Sequence, residues 1–231
     1  MRHVLITGGS SGIGLACARA FLAAGETLTL VGRDATRLAA AIDTLGSARA
    51  SGECCDVASA AAVTQMALRL QEAGRRVDVL VNNAGLFLAA PVLKVPEEQA
   101  AQLWECQVMG PWRMLKACAA ADLRGEAGLT VVNILSVTAL KSFPACGFYG
   151  ATKAALKNLM ETARAELRQE GVRICNVFPG ATDTPIWGER GMDRSRMMPA
   201  EDVAAAVLAC AAPHAGSLVE DLVMRPVGGD L

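Results

Sequence analysis

The sequence predicts an α/β protein, with residues 1–231 forming one domain around a doubly wound parallel β-sheet covered by helices on both faces. Three observations predict it. Short apolar runs alternate with longer helix-patterned stretches along the whole chain, the arrangement of parallel strands joined by helical crossovers. The first apolar run ends in a glycine-rich turn, Thr7-Gly8-Gly9-Ser10-Ser11-Gly12-Ile13-Gly14, that leads into a helix. Hydrophobic residues make up 52% of the chain and charged residues 19%, so many elements must be covered on two sides, as the strands of a parallel sheet are.

Val4-Leu5-Ile6 is the first strand, and Leu15 to Ala24 is an alanine-rich helix. A glycine turn between strand and helix is the context in which glycines mean phosphate. Gly8 permits the tight turn, Gly12 allows close approach to a pyrophosphate, and the helix start supplies free N–H groups and a positive dipole end. Ser10, Ser11, Ile13 and Gly14 complete this candidate dinucleotide cradle. The same letters satisfy the Gly-x-Ser-x-Gly elbow of a serine hydrolase, with Ser10 preceding Asp183 and His214 in hydrolase order. Such an elbow is not expected on the first strand.

Thr27 to Val31 is the second strand, and Gly32-Arg33-Asp34 follows it. An acidic residue at that point would hold a ribose 2′-hydroxyl; Gly32 stands there instead and cannot repel a phosphate, and the adjoining Arg33 guanidinium suits one. This favours NADP over NAD, against the reading of Arg33 as a solvated residue ahead of a helix over Asp34 to Leu45. A third β-run reaches Cys54-Cys55, followed by Asp56-Val57. Asp56 serves either as acceptor for an adenine amino group or as N-cap of a helix over Ala58 to Ala73.

Val77 to Val81 is the fourth strand, ending in Asn82-Asn83-Ala84-Gly85, where ligands bind in sheets of this kind. A helical region follows from Pro91 through Trp112. Leu129 to Leu135 is the fifth strand and runs into Ser136. One long helix spans Gly147 to Gly171, and Val172 to Phe178 is the sixth strand, closed by Pro179-Gly180. A substrate loop at about 185–198, a helix from Pro199 to Ala212 and a strand from Leu218 to Met224 complete the pattern.

The formal net charge of −1 offers no footprint for nucleic acid. The residues before the glycines are too few for a signal-peptide core, and no stretch approaches the roughly 20 apolar residues of a membrane span. A cytoplasmic protein without membrane contact is expected. Its eight cysteines show no metal-ligand spacing and read as small apolar residues, and two histidines exclude a histidine-rich metal site.

Within the long helix, Tyr149 and Lys153 stand four positions apart and so share a face. A free phenol, with pKa about 10, is a poor proton donor or acceptor near neutrality, and a nearby cation lowers that value. Taken alone, the spacing is more often that of a surface pair.

Taken together, these motifs resemble the classical short-chain dehydrogenase/reductase family over essentially the whole chain. They run in order: the glycine turn, Asp56-Val57, Asn82-Asn83-Ala84-Gly85, Ser136 thirteen positions before Tyr149, Lys153, and Pro179-Gly180 with Thr184. The resemblance implies a Rossmann-like fold and an oxidoreductase, using NADP(H) in preference to NAD(H), that interconverts a carbonyl and a secondary alcohol. It implies Tyr149 as general acid, Ser136 as the hydrogen-bond donor to the carbonyl, and Lys153 as the cation that depresses the phenol's pKa and binds the nicotinamide ribose. Asn83, Ala84 and Gly85 would line the adenosine-to-ribose region, and Pro179, Gly180, Thr182 and Thr184 the nicotinamide end, with Thr184 near the carboxamide.

One position departs from the family pattern. Where a relay Asn precedes a glycine by three residues, this chain places Gln107 ahead of Gly110. Gln107 then either serves in place of the Asn or points elsewhere. A second reading is a catalytically impaired NADP(H)-binding sensor or scaffold.

The substrate, a small-molecule carbonyl or alcohol, is expected between Ser136 and the loop after Gly180. Phe87, Val137, Leu140, Phe143, Phe148, Ile186, Trp187 and Met192 would wall an apolar pocket. Arg190, Arg194 and Arg196 either meet an anionic or carrier-borne substrate or are solvated lid charges. Small residues on the long helix (Ala151, Ala154, Ala155, Ala163) fit the family's helix pairing, implying a homodimer or homotetramer.

Overall fold

The apolar runs form strands that all pair in parallel, so each must be reached by a crossover. The computed structural model describes residues 1–188, 191–212 and 216–230. In chain order these are β1 (His3–Thr7), α1 (Gly12–Ala23), β2 (Thr27–Gly32), α2 (Ala35–Leu45), β3 (Ala50–Cys54), α3 (Ala60–Glu72) and β4 (Val79–Asn82). Then come α4 (Glu97–Trp104), α5 (Gly110–Ala119), β5 (Leu129–Ile134), α6 (Gly147–Leu167), β6 (Val172–Pro179), α7 (Ala200–Cys210) and β7 (Asp221–Met224).

Among the described residues the sheet has seven strands in the order β3-β2-β1-β4-β5-β6-β7, which bears out the predicted fold class. The chain winds outward from β1 to β3, then returns to the other side of β1 at β4. Loops leaving the carboxyl ends of β1 and β4 therefore part in opposite directions and open a crevice. The crossovers send helices to both faces. Phe21, Leu38, Val203 and Val207 pack from α1, α2 and α7 against one face. Val63, Met66, Met114, Leu156 and Met160 pack from α3, α5 and α6 against the other. β4 and β5 are buried throughout, which is why apolar residues stand on both faces of each.

A buried polar ladder interrupts the second face. Asn82, Asn133 and Asn176 lie in register on β4, β5 and β6, with Asp221 next in line on β7. Each amide donates to the next: Asn82 to Asn133 at 3.0 Å, Asn133 to Asn176 at 3.0 Å, and Asn176 to Asp221 at 3.2 Å. Arg164 of α6 closes the line on Asp221 at 3.0 Å.

Several boundaries differ from expectation. Asp34 is the N-cap of α2 rather than its first residue, accepting from Arg37 N. Asp56 does not cap α3: Ser59 does, while Asp56 accepts from Ala58 N, two residues on, at 3.0 Å. The region from Pro91 to Trp112 is divided, with a π-helical turn over Glu105–Met109 between α4 and α5. α6 ends at Leu167 in a tighter 3-10 turn because Gly171 leaves the helix in the left-handed region, φ 75°. β7 starts only at Asp221, where it meets Asn176. Among the described residues no helix is long and apolar enough to cross a membrane.

Candidate active site

The crevice at the carboxyl ends of the strands is a cavity of about 660 Å³. Of the cofactor and catalytic candidates, every residue except Gly14 lines it. Gly14 instead lies under the turn, where a side chain would run into the Gly8 carbonyl and the Asn83 amide. Gly8 adopts φ 65° and a Cβ on it would come within 2.9 Å of Ala84 Cα, so both conformation and space require glycine.

Asn83 holds this turn rather than presenting its amide to the cavity. Its Nδ2 donates to the Thr7 and Gly8 carbonyls at 2.9 and 3.2 Å, and Thr7 Oγ1 accepts from the N–H groups of Asn83 and Ala84. At α1, Ser11 makes no side-chain cap bond and the first turn holds no acidic residue. Its N–H groups are therefore open to an anion. Beyond the turn, Arg33 is exposed and its guanidinium makes no hydrogen bond or ion pair among the described residues. Arg37 also lines the cavity but is paired to Asp34 at 2.8 Å.

The three expected catalytic side chains come from β5's end and α6. Ser136 caps a short 3-10 turn, its Oγ accepting from Thr138 N at 3.2 Å, which leaves its proton to donate. Tyr149 stands in the first turn of α6. Lys153, one turn on and 5% exposed, donates from Nζ to the Ile134 carbonyl at 2.9 Å and lies 5.8 Å from the centre of the Tyr149 ring.

The expected lowering of the phenol's pKa by Lys153 is not what these surroundings give. Burial pushes Tyr149 up to about 12, opposed by the Ser136 hydrogen bond and raised further by Cys146. Burial likewise brings Lys153 down to about 8. The ammonium is held by a backbone carbonyl and faces the ring, so loss of hydration dominates both groups.

Gln107 sits in the π-helical turn and is 1% exposed. Its Nε2 donates to Thr152 Oγ1 at 2.9 Å, and Thr152 in turn donates to the Tyr149 carbonyl at 2.8 Å. Its Oε1 is buried with no partner among the described residues. That oxygen and Lys153 Nζ crowd the same side of Gly85: a Cβ there would lie 3.2 Å from one and 3.9 Å from the other. A buried acceptor beside an ammonium is a place to bind a water.

Of the expected apolar wall, Phe87, Val137, Phe143, Ile186, Trp187 and Met192 line the cavity. Leu140 and Phe148 do not: Leu140 is 45% exposed beyond the 3-10 turn, and Phe148 is carried round α6 from Tyr149. Arg194 is off the wall and paired to Asp183 at 2.9 Å, Arg196 is exposed, and Arg190 lies outside the described residues. The hydrolase alternative gains nothing, since Asp183 is spent on Arg194 and His214 also lies outside the described residues. Cys55 is buried but Cys54 is exposed, so only one of that pair packs as expected.

Sequence reasoning missed Arg37, Cys106, Cys146 and Asp230 on the wall. Cys106 could have been found as the neighbour of Gln107. Asp230 could not, because it arrives by the segment after β7, whose Pro226 packs against Gly180.

A family model described as short chain dehydrogenase matches residues 2–195. The sepiapterin reductase of Chlorobaculum tepidum is 32% identical over 100% of this chain and 99% of its own length. Among solved structures, an alcohol dehydrogenase from the archaeon Thermococcus sibiricus, complexed with 5-hydroxy-NADP, superposes with a TM-score of 0.89. It is 30% identical, covering 98% of this chain and 97% of that one. A short chain dehydrogenase from Burkholderia cenocepacia in complex with NADP gives a TM-score of 0.87 at 28% identity, covering 97% and 96%.

Proposed function

The chain belongs to the short-chain dehydrogenase family, and from that premise we propose that it is an NADP(H)-dependent reductase interconverting a carbonyl and a secondary alcohol. The observation that carries this reading is convergence: the Tyr149 phenol, the Ser136 hydroxyl and the Lys153 ammonium share one cavity wall with the glycine turn. The residues present fit a dinucleotide. Gly8 and Gly12 line the cavity with bare backbone held at φ 65° and 52°, the start of α1 is open to phosphate, and Arg33 is an uncommitted guanidinium for a 2′-phosphate. Asp56 and Val57 would border the adenine, and Gly180, Thr182 and Thr184 the nicotinamide.

When bound, the reduced dinucleotide supplies hydride to the carbonyl carbon. The Ser136 hydroxyl donates to the carbonyl oxygen and holds it against Tyr149. As negative charge gathers on that oxygen, the phenol transfers its proton to it. With its pKa raised to about 12, the phenol keeps its proton at neutral pH, the form that reduction requires. Lys153 stands where the phenolate charge develops, and Gln107 Oε1 would hold the water that returns a proton.

NADPH fluorescence titration followed by NADPH oxidation with a panel of aldehydes and ketones tests the reading. Binding without turnover across the panel would overturn it. Arg33→Ala is expected to weaken NADPH binding roughly tenfold, the scale of one charge-assisted hydrogen bond at an exposed site, and to leave NADH binding unchanged in the same titration. Gln107→Leu is expected to lower kcat on the order of tenfold, less than loss of the primary proton donor. Gln107→Asn should recover part of it, and an unchanged pH profile in the Leu variant would remove Gln107 from the mechanism.

The same reading gives a single-domain cytoplasmic enzyme that is a homodimer or homotetramer. Ala151 and Ala154 stay exposed along α6, and Trp104 and Trp112 are 45% and 37% exposed, which supports helix pairing between subunits.

A further inference from the structure

Three aromatic side chains from separate segments form a run beside the phenol. Phe87, in the segment leaving β4, meets the Tyr149 ring edge to face, with centres 5.0 Å apart and planes at 77°. The same Phe87 ring lies 4.9 Å from that of Trp187, tilted at 58°. Phe87 thus bridges the proton donor and the loop that follows β6.

Both flanking segments are tied down. Trp187 Nε1 donates to the Thr182 carbonyl at 2.8 Å, and Trp187 ends a 3-10 turn that begins with Pro185. Met198 N donates to the Ala181 carbonyl at 2.9 Å and Asp183 N to the Met198 carbonyl at 2.8 Å, so the loop's two ends are joined. Beyond Phe87, Ala90 N donates to the Ala145 carbonyl at 2.8 Å, binding that segment to the turn just before α6. The rings are held by hydrogen-bonded backbone rather than by a loose flap. Val137, Phe143, Ile186 and Met192 of the same wall are apolar, and the Thr138 hydroxyl, buried without a partner among the described residues, is a polar group beside them.

The geometry points to Phe87 as the residue that sets substrate size: it admits small, unhindered carbonyl compounds, short unbranched aldehydes and methyl ketones, and turns away ketones bulky on both sides. This rests on the carbonyl-reductase reading. Phe87 is in ring contact with the phenol itself, so a group on the carbonyl carbon is brought against Phe87 when its oxygen reaches Tyr149, and the Trp187 ring, in contact with Phe87, resists its displacement. A misfit of about one methylene in such a pocket costs roughly tenfold to two-hundredfold in kcat/KM.

The test compares F87W, the parent, F87L and F87A on two substrates, a short aliphatic aldehyde and an aryl ketone with a branched second substituent, with NADPH affinity measured by fluorescence for each. The expected result is a ratio of kcat/KM, bulky ketone over aldehyde, that rises in the order Trp, Phe, Leu, Ala by at least roughly tenfold across the series, with NADPH affinity constant. A ratio indifferent to residue 87 in a parent that turns over the aldehyde overturns the inference alone. So does a loss of NADPH affinity parallel to the loss of turnover, which would make Phe87 scaffold. Absence of turnover with every carbonyl in the parent and all variants overturns the functional reading, and this inference with it.

Discussion

Tyr149→Phe is expected to reduce kcat by roughly 10²–10⁴-fold, the range for loss of a positioned proton donor, while NADPH affinity stays near that of the parent. Phenylalanine keeps the ring, and with it the edge contact to Phe87, so the variant removes an oxygen and a proton without opening the wall. Ser136 still polarises the carbonyl but has no partner from which a proton can follow. Because Tyr149 is the only tyrosine in the chain, its ionisation can be followed directly by near-ultraviolet absorbance. The free protein should show no tyrosinate until the pH approaches about 12. Turnover that survives the substitution would end the enzyme assignment, and a phenol ionising near pH 10 would mean that the site is more hydrated than its packing implies.

Lys153→Met is expected to lower kcat/KM by about 10²-fold or more and, at neutral pH, to raise thermal stability by a few degrees. The opposition follows from where the ammonium sits. In the folded protein it titrates near 8, against 10.5 for an ordinary lysine, a gap worth on the order of 3 kcal/mol. Below pH 8 both folded and unfolded chains carry the proton, and the folded state bears the full cost of a buried charge. Between about 8 and 10.5 the unfolded chain binds more protons, so stability of the parent rises with pH across that window. The Met variant lacks that rise. Turnover should move the other way: kcat/KM of the parent falls as pH climbs through about 8 and the amine loses its charge. Thermal unfolding of both proteins across pH 6–11, read beside the pH profile, checks both signs. A variant less stable than the parent at pH 7 would show that the bond to the Ile134 carbonyl outweighs the burial.

What could be read in the chain was local. The glycine turn announces itself because Gly8 stands at φ 65°, which favours glycine, with Ala84 Cα close to where a Cβ would be, and the Tyr149–Lys153 spacing follows from helical periodicity. Asn83 lines the cavity, but its neighbours are not legible in the sequence, because the amide is consumed by Thr7 and Gly8 from another strand. The direction of the Tyr149 shift is hidden for a related reason: a sequence shows the cation but not the burial, which is the largest influence on the phenol. Asp56 and Ser59 are both acceptable caps, and only the entry angle of α3 chooses Ser59. Asp230 reaches the wall through the packing of Pro226 on Gly180, and no periodicity carries that information. Gln107 lay in between. Its departure from the family pattern was visible, whereas its orphaned oxygen beside Gly85 and Lys153 needed coordinates.

The line of amides from Asn82 through Asn133 and Asn176 to Asp221 also bears on how the sheet comes together. Its links join residues 82, 133, 176 and 221, so no link is made until a late-synthesised partner has docked. A slip of one residue in any pairing would swing an amide to the opposite face, among Val81, Val132, Ile134 and Val177. Each stranded amide would then be left dry and unbonded at a cost of about 1–3 kcal/mol. Misaligned assemblies are thereby discouraged, and the strand ends that carry Asn83, Ser136 and Gly180 reach a common level only in the correct alignment.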